Sequence, residues 1–539
     1  MTGTRRVNGT KLLLATIVAI GAIGIVSAPT LAAVRMPAVF SQNMVLQASM
    51  PVPVWGWAAA NEKVTVKFAG QEKSATACAA GKWMVKLDAL KVSPKPGKMT
   101  VTGADGKAIT IPNVLVGEVW LGSGQSNMAM GVGGCLDIDN VKADAKRPTL
   151  RMFTVQRRPA GEPMDDVIGK WVVCTPETVS GFSATLYFFG RRLHNDLKMP
   201  IGLIHSSWGG TRIEPWTPPC GFEAVPELKD IAKQVADAPA AYRKQVASTV
   251  DAIEAWLPKA KQALASKGTI PQAPAMPQHP LNSSRNPTGL YNGMIHGLVP
   301  YAMRGATWYQ GESNGSEGES YYHKMRALIG GWRQLWGEGD FPFYFVHLAT
   351  FRGPNPAPEG GDGWARVLEA QAFSLNIPNT GMAVLSDIGH PRNIHPQNKQ
   401  DVGDRLALWA LAKDYGKKDL VYSGPIFSSA KVEGSTMVIS FDHVGSGLMV
   451  GKKDGLKPAE KIPGGELKGF AIQGADGTWQ WADAKIVGQT VVVSAEKVSK
   501  PKAVRFGFTT NRAHCNFYNK EGLPAVGFRT DTEWTPKGK

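Results

Sequence analysis

Three short segments of this chain hold residues whose types and spacing could carry out acyl transfer. The first is Gly122-Ser123-Gly124-Gln125-Ser126-Asn127-Met128, a serine just beyond a Gly-rich turn. An apolar run over 114–121 precedes it, so the serine lies where a strand gives way to a helix. That position suits a nucleophile, because the hydroxyl is exposed at a tight turn and the helix N-terminus favours developing negative charge. It equally suits a serine that merely caps a helix. The second segment, Gly305-Ala306-Thr307-Trp308-Tyr309-Gln310-Gly311-Glu312-Ser313-Asn314, sets an amide and a carboxylate two positions apart. Gln310 could donate to an oxyanion and Glu312 could orient a histidine. The plain alternative is a polar loop that satisfies its own backbone. The third, Asp387-Ile388-Gly389-His390-Pro391-Arg392-Asn393-Ile394-His395-Pro396, carries two candidate bases between a strand and a helix. Either histidine taken alone reads as structural.

The elements that must position these segments are legible in the hydrophobic pattern. Apolar runs over 114–121, 201–204, 343–346 and 382–385 predict strands, and periodic stretches over 185–197, 321–336, 364–375 and 400–415 predict helices. In the last of these, Val402, Leu406, Trp409 and Ala412 fall at helical spacing. Strands alternating with helices imply a mostly parallel sheet covered on both faces, whose active site lies at the carboxyl ends of the strands. All three segments fall at such ends.

The flanks read differently. Residues 34–112 show short alternating segments such as Val64-Thr65-Val66-Lys67-Phe68, the pattern of a small antiparallel β domain. The α/β region then runs over 113–420, with a helical, Ala-, Lys- and Glu-rich insertion over about 222–287 whose Pro- and Gln-rich end is a loop. From 421 to 539 the β pattern returns as a second β domain. At the N-terminus, Arg5, Arg6 and Lys11 precede an apolar stretch over 12–28 and a small-residue run. That order is a secretory leader over 1–33, with an uncleaved membrane anchor as the alternative because the apolar run approaches spanning length, so a periplasmic or secreted protein is expected.

Composition narrows the class. Hydrophobic residues make up 43% and charged residues 19%, which excludes a disordered chain or a multispan membrane protein. Net charge is +16, or +13 without the three positive leader residues, but the Lys and Arg residues form no dense run. No nucleic-acid motif is present, and no membrane contact beyond the leader is expected. The five cysteines form no CxxC pair, so neither a zinc nor a redox motif is signalled.

Taken together, the three segments resemble the sialate O-acetylesterase family, carbohydrate esterases of the SGNH-hydrolase superfamily. The resemblance rests first on the block running from Gly117-Glu118-Val119-Trp120 to Gln125-Ser126-Asn127-Met128. It continues through Ser206-Ser207-Trp208-Gly209-Gly210-Thr211, Leu290-Tyr291-Asn292-Gly293-Met294-Ile295, Trp308-Tyr309-Gln310-Gly311-Glu312-Ser313-Asn314 and Asn393-Ile394-His395-Pro396-Gln397-Asn398-Lys399. Outside the core, Asn43-Met44-Val45-Leu46-Gln47 and Asn519-Lys520-Glu521-Gly522-Leu523-Pro524-Ala525 are also similar. It implies a flavodoxin-like parallel sheet with helices on both faces, flanked by β-sandwich-like regions.

The resemblance also implies a mechanism without metal or cofactor. Ser126 is the nucleophile and His395 its base, through an acetyl-enzyme. The oxyanion is held by the Ser126 amide, an amide at Gly209 or Gly210, and the Gln310 side chain. Many SGNH hydrolases carry Asp three residues before the histidine, where this chain has Arg392. Related sugar acetylesterases steady the histidine with the Glu of the Gln-Gly-Glu segment, so the resemblance implies Glu312 as the acid, with Asp387 the reserve and a dyad without an acid left open. Asn127, Trp208, Arg212, Asn292 and Trp308 are expected toward the substrate. Arg212 suits a sugar carboxylate or an ordinary salt bridge, and the two tryptophans suit sugar stacking or the core. The substrate is an O-acetylated sugar, either sialic acid or a plant polysaccharide such as xylan or xyloglucan. A glycan-binding protein without catalysis is the alternative from another class. No GxSxG elbow surrounds Ser126, which weighs against a lipase.

Overall fold

The computed structural model describes residues 34–532 and Trp534, so the expected leader over 1–33 lies outside the described residues. The longest strand, Ala108–Gly124, shows how the molecule is organised. Its first half alternates between exposed and buried positions, and its second half, Val114–Gly124, is buried throughout. Alternation is what a strand with one wet face requires, and continuous burial is what a sheet covered on both faces requires. One strand thus serves two environments.

Its second half is the centre of the main sheet. Ile201–Ser207 lies parallel on one side and Gly305–Tyr309 parallel on the other, followed outward by Phe343–His347 and Thr380–Val384. Counting these five strands in chain order gives the spatial order 2-1-3-4-5, the flavodoxin-like arrangement that the resemblance implies. Arg147–Thr154, parallel to Ile201–Ser207, and the antiparallel Trp171–Cys174 extend that edge. The chain reverses direction across the sheet at Ala108–Gly124, and in sheets of this kind the crevice for a ligand lies at such a switch point, here beyond Gly124 and between Ser207 and Tyr309.

Helices Ala184–Leu197, Glu319–Trp336, Ala365–Phe373 and Lys399–Lys413 lie close to their expected spans. Ser183 caps the first by accepting from the Leu186 amide, and Asn398 caps the last by accepting from the Asp401 amide. A Cβ at Gly403 would lie 2.5 Å from Phe188 Cβ, so a glycine is what lets these two helices approach.

The N-terminal β region differs from the expected separate domain. Ala108–Gly124 continues through the boundary expected near 112, with a bulge there and Asn113 at φ of +59°, and Val45–Gln47 lies parallel to it. Phe40, Val54, Trp55 and Trp83 belong to the same hydrophobic core as Trp120, Phe189 and Tyr344. Tyr301 Oη donates to the Val45 carbonyl at 2.7 Å from within that core. The C-terminal region, by contrast, packs its own core around Ile439, Phe470, Phe506, Phe517 and Phe528. It is tied to the α/β region by Arg529–Glu369 at 2.6 Å and Lys453–Asp401 at 2.7 Å. Arg512, 1% exposed, meets His347 Nδ1 at 2.9 Å just where the strand Phe343–His347 ends. The C-terminal region therefore braces the end of strand Phe343–His347 and the two helices that hold Glu369 and Asp401.

The insertion is a single 37-residue helix, Lys229–Ala265, followed by a return segment without regular structure. Phe222, Val225, Leu228, Val235 and Leu281 pack on Ala327 at its base. Trp256 Nε1 reaches the Pro271 carbonyl at 2.8 Å farther along. Among the described residues no helix is long and apolar enough to cross a membrane, and the five cysteines are unpaired.

Candidate active site

The crevice is built from the ends of the three strands that flank the topological switch. Gly124 has φ of +136°, and a Cβ there would lie 2.2 Å from the Tyr309 carbonyl oxygen. Only glycine lets the nucleophile turn close against the neighbouring strand. The Gln125 amide then donates to that same Tyr309 carbonyl at 2.9 Å, and Ser126 opens a single helical turn, Ser126–Ala129. Gln125 and Asn127 are buried while Ser126 between them is half-exposed. The N-cap position is Gln125 and no side chain caps the turn, so Ser126 is not a capping serine.

The turn after Ile201–Ser207 faces it. The Trp208 amide donates to the Gly124 carbonyl at 3.1 Å, and a Cβ at Gly209 would lie 3.3 Å from Ser126 Cβ. Among the described residues the amides of Ser126, Gly209 and Gly210 have no hydrogen-bond partner. Unpaired amides beside a serine hydroxyl are what an oxyanion site requires.

Gln310 departs from its expected place. It is fully buried, and its Nε2 meets Gln125 Oε1 and the Thr211 carbonyl at 3.2 Å and Asn314 Oδ1 at 2.7 Å. Its Oε1 accepts from Tyr321 Oη at 2.9 Å. Both amide hydrogens are committed to neighbours, so Gln310 locks the two turns together instead of facing an oxyanion. Two positions on, Glu312 stands in a short turn after Gly311, and its Oε1 accepts from Asn127 Nδ2 at 2.6 Å. Its Oε2 is buried with no partner among the described residues, and burial raises the pKa of the carboxyl.

His395 is half-exposed at the edge of the crevice. Its amide is fixed by Asn393 Oδ1 at 2.9 Å, and the carbonyl before it, of Ile394, accepts from Asn127 Nδ2 at 3.0 Å. Neither ring nitrogen has a hydrogen-bond partner among the described residues. Burial, and then the positive charge of Lys399, hold the imidazole below its usual value. Asn127 is thus the common donor to Glu312 and to the His395 loop. It is 1% exposed, which corrects its expected place against substrate.

Asp387, the reserve acid, is also corrected. Both of its oxygens accept from Arg405, at 2.7 and 2.8 Å, and neither is left for a histidine. Replacing Asp387 with alanine would leave the 6%-exposed Arg405 guanidinium uncompensated. The expected cost is about 3 kcal/mol or more, read by denaturant unfolding of the variant.

Of the residues expected toward substrate, Trp308 is 1% exposed and packs edge-on against Trp216 and Trp332 in the core. Asn292 is 2% exposed and donates to the Ala160 carbonyl at 3.2 Å. Both are structural: Trp308 lies in a strand covered on both faces, and Asn292 is buried in the helical turn Tyr291–Ile295. Trp208 stays half-exposed beside Gly209, at the crevice. Arg212 pairs with Glu214 at 2.9 Å and with Glu317, and Lys324 joins the same two carboxylates at 2.8 and 2.6 Å. This cluster supports the Gly209–Gly210 turn from below. His390 is exposed, with its Nδ1 accepting from the Arg392 amide.

Sequence reasoning missed Lys399. Its Nζ is fully buried and donates to Asn127 Oδ1 at 2.6 Å. The available clue was its place at the end of the Asn393-Ile394-His395-Pro396-Gln397-Asn398-Lys399 block.

Comparison with known proteins fits this geometry. A family model described as carbohydrate esterase, sialic acid-specific acetylesterase, matches residues 116–255 and 275–411, which hold every residue of the crevice. Sialate O-acetylesterase of Rattus norvegicus is 32% identical over 408 residues, 69% of this chain and 72% of that protein. The Homo sapiens sialate O-acetylesterase is 30% identical over 431 residues, 73% of each. A crystal structure of a carbohydrate acetylesterase from Xanthomonas citri superposes with a TM-score of 0.77 at 34% identity, covering 93% of this chain and all of that one. The matched blocks, the sheet order and the crevice agree, and the chain belongs to the sialic acid-specific acetylesterase family of carbohydrate esterases, hydrolases that remove O-acetyl groups from sugars.

Proposed function

We propose that the chain removes acetyl groups by a serine mechanism. Ser126 Oγ attacks the acetyl carbonyl as His395 takes its proton, and the charge that forms on the carbonyl oxygen meets the amides of Ser126, Gly209 and Gly210. The C–O bond to the sugar then breaks, and His395 returns the proton to the sugar hydroxyl. Water, deprotonated by His395, attacks the acetyl-serine and releases acetate. Glu312, the carboxylate whose Oε2 is buried and unpartnered among the described residues, is the acid that steadies the protonated His395. The observation that carries this reading is the close approach of Gly209 to the half-exposed Ser126, where a Cβ on Gly209 would lie 3.3 Å from Ser126 Cβ, with the amides of both unpaired among the described residues.

His395 must be neutral to act as base. With its pKa lowered by burial and by Lys399, kcat/KM is expected to rise with pH along a limb centred below 6.5, which a pH–rate profile reads.

Two sugar classes fit an acetyl ester at this site. Arg212, the cation expected to meet a sialic acid carboxylate, is already held by Glu214 and Glu317, which favours an uncharged acetylated polysaccharide such as xylan or xyloglucan. The test is acetate release by the purified protein from acetylated sialic acid and from acetylated xylan or xyloglucan. Release from the polysaccharide alone supports that preference, and release from sialic acid alone reverses it. No release from either, nor from an aryl acetate, overturns the esterase reading.

Export to the periplasm or beyond is part of the proposal. It is supported by Arg5, Arg6 and Lys11 ahead of an apolar, then small-residue, run. Cell fractionation with N-terminal sequencing of the mature protein tests it.

A further inference from the structure

The nucleophile turn, the Glu312 turn and the His395 loop come from three distant parts of the chain, yet one side chain joins them. Asn127, next to the nucleophile, donates from Nδ2 to Glu312 Oε1 at 2.6 Å and to the Ile394 carbonyl at 3.0 Å. Its Oδ1 is held in turn by Lys399 Nζ at 2.6 Å. An amide whose oxygen accepts from an ammonium cannot flip without losing that bond, so Lys399 fixes which end of Asn127 faces Glu312.

Lys399 is an unusual choice for such a place. Its side chain is fully buried, with Asn127 Oδ1 as its one hydrogen-bond acceptor among the described residues and the Tyr309 ring 5.1 Å away. Burying an ammonium with so few partners is unfavourable, and an apolar residue of similar shape is ordinarily as stable or more so. Burial pulls its pKa down to about 7 against the opposing pull of Glu312. Stability does not account for this lysine, which leaves a role in the site.

We propose that Asn127 and Lys399 are positioning residues for the acid–base pair: Lys399 sets the orientation of Asn127, which pins one oxygen of Glu312 and the His395 loop so that the other oxygen addresses His395. This inference rests on the reading of Glu312 as the orienting acid. Neither residue touches substrate, so both act on the rate of chemistry and not on binding.

The test is the kinetics of Asn127→Ala, Lys399→Met and Glu312→Gln, alone and with Asn127→Ala combined with Glu312→Gln. Thermal unfolding of each variant is followed in parallel. Asn127→Ala and Lys399→Met are expected to lower kcat by about 10- to 100-fold with KM within about twofold, as small misplacements of catalytic groups do. Lys399→Met is expected to unfold at the native temperature or higher, which a lysine kept for stability would not do. In the Glu312→Gln background, Asn127→Ala is expected to cost less than about threefold more, because it acts through Glu312. Asn127→Asp keeps the shape and the Lys399 partner but loses the donor, and should reproduce the loss if the alanine variant folds poorly. Native kcat in Asn127→Ala or Lys399→Met, or fully additive losses in the double variant, would overturn the inference while a slow Glu312→Gln left the triad standing. A native rate in Glu312→Gln would instead remove the acid, and the inference with it.

Discussion

Acetate release by Ser126→Ala is expected to fall by about a million-fold in kcat, to the level that binding and the oxyanion amides alone sustain. The hydroxyl is the only atom removed, and Ser126 is half-exposed without a capping role, so the variant should fold with native stability. His395→Ala should cost about as much, and the two losses should not add, because nucleophile and base work as a unit. A continuous aryl acetate assay with a thermal unfolding scan checks both statements. A loss of less than about tenfold in Ser126→Ala would assign the nucleophile elsewhere.

Glu312→Gln is expected to lower kcat by about a thousand- to ten-thousand-fold with little change in KM. The amide is isosteric, so one end can still meet Asn127, but its free end no longer carries the charge that steadies a protonated His395. The buried, unpartnered Oε2 is the reason for expecting so large an effect. Asp387→Asn provides the contrast. Asp387 is bound through both oxygens to Arg405, so its loss should appear in unfolding and leave kcat within about threefold. The reverse pattern, a slow Asp387 variant and an unaffected Glu312 variant, would transfer the acid's role to Asp387.

Much of the fold was legible before any coordinates. The buried strands are continuous Val-, Leu-, Ile- and Phe-rich runs, and the helices that cover them carry apolar residues at helical spacing, so their order along the chain reads directly as an α/β sheet. The N-terminal boundary was not legible. Strand Ala108–Gly124 changes from one-sided to two-sided burial across a bulge at Pro112–Asn113 without leaving the sheet, and a sequence pattern records the change of texture but not the continuity.

The site divides in the same way. The sequence by itself determined the family, the nucleophile turn and the segments that hold Gly209, Glu312 and His395, because those turns need particular residue types to form. Gly124 is the clearest case, since no side chain fits against Tyr309 there. Which way each polar side chain faces was decided only by the tertiary structure. Gln310 and Asn127 stand beside expected catalytic positions in sequence, yet both turn inward, because buried amides must find partners and the partners come from distant segments. Asp387 is withdrawn from His395 for the same reason, by a guanidinium eighteen residues away. Lys399 gains its place only when helix Lys399–Lys413 docks under the nucleophile turn. Local residue type sets where a turn can form, and the balance of buried charges and hydrogen bonds across segments sets what each side chain then does.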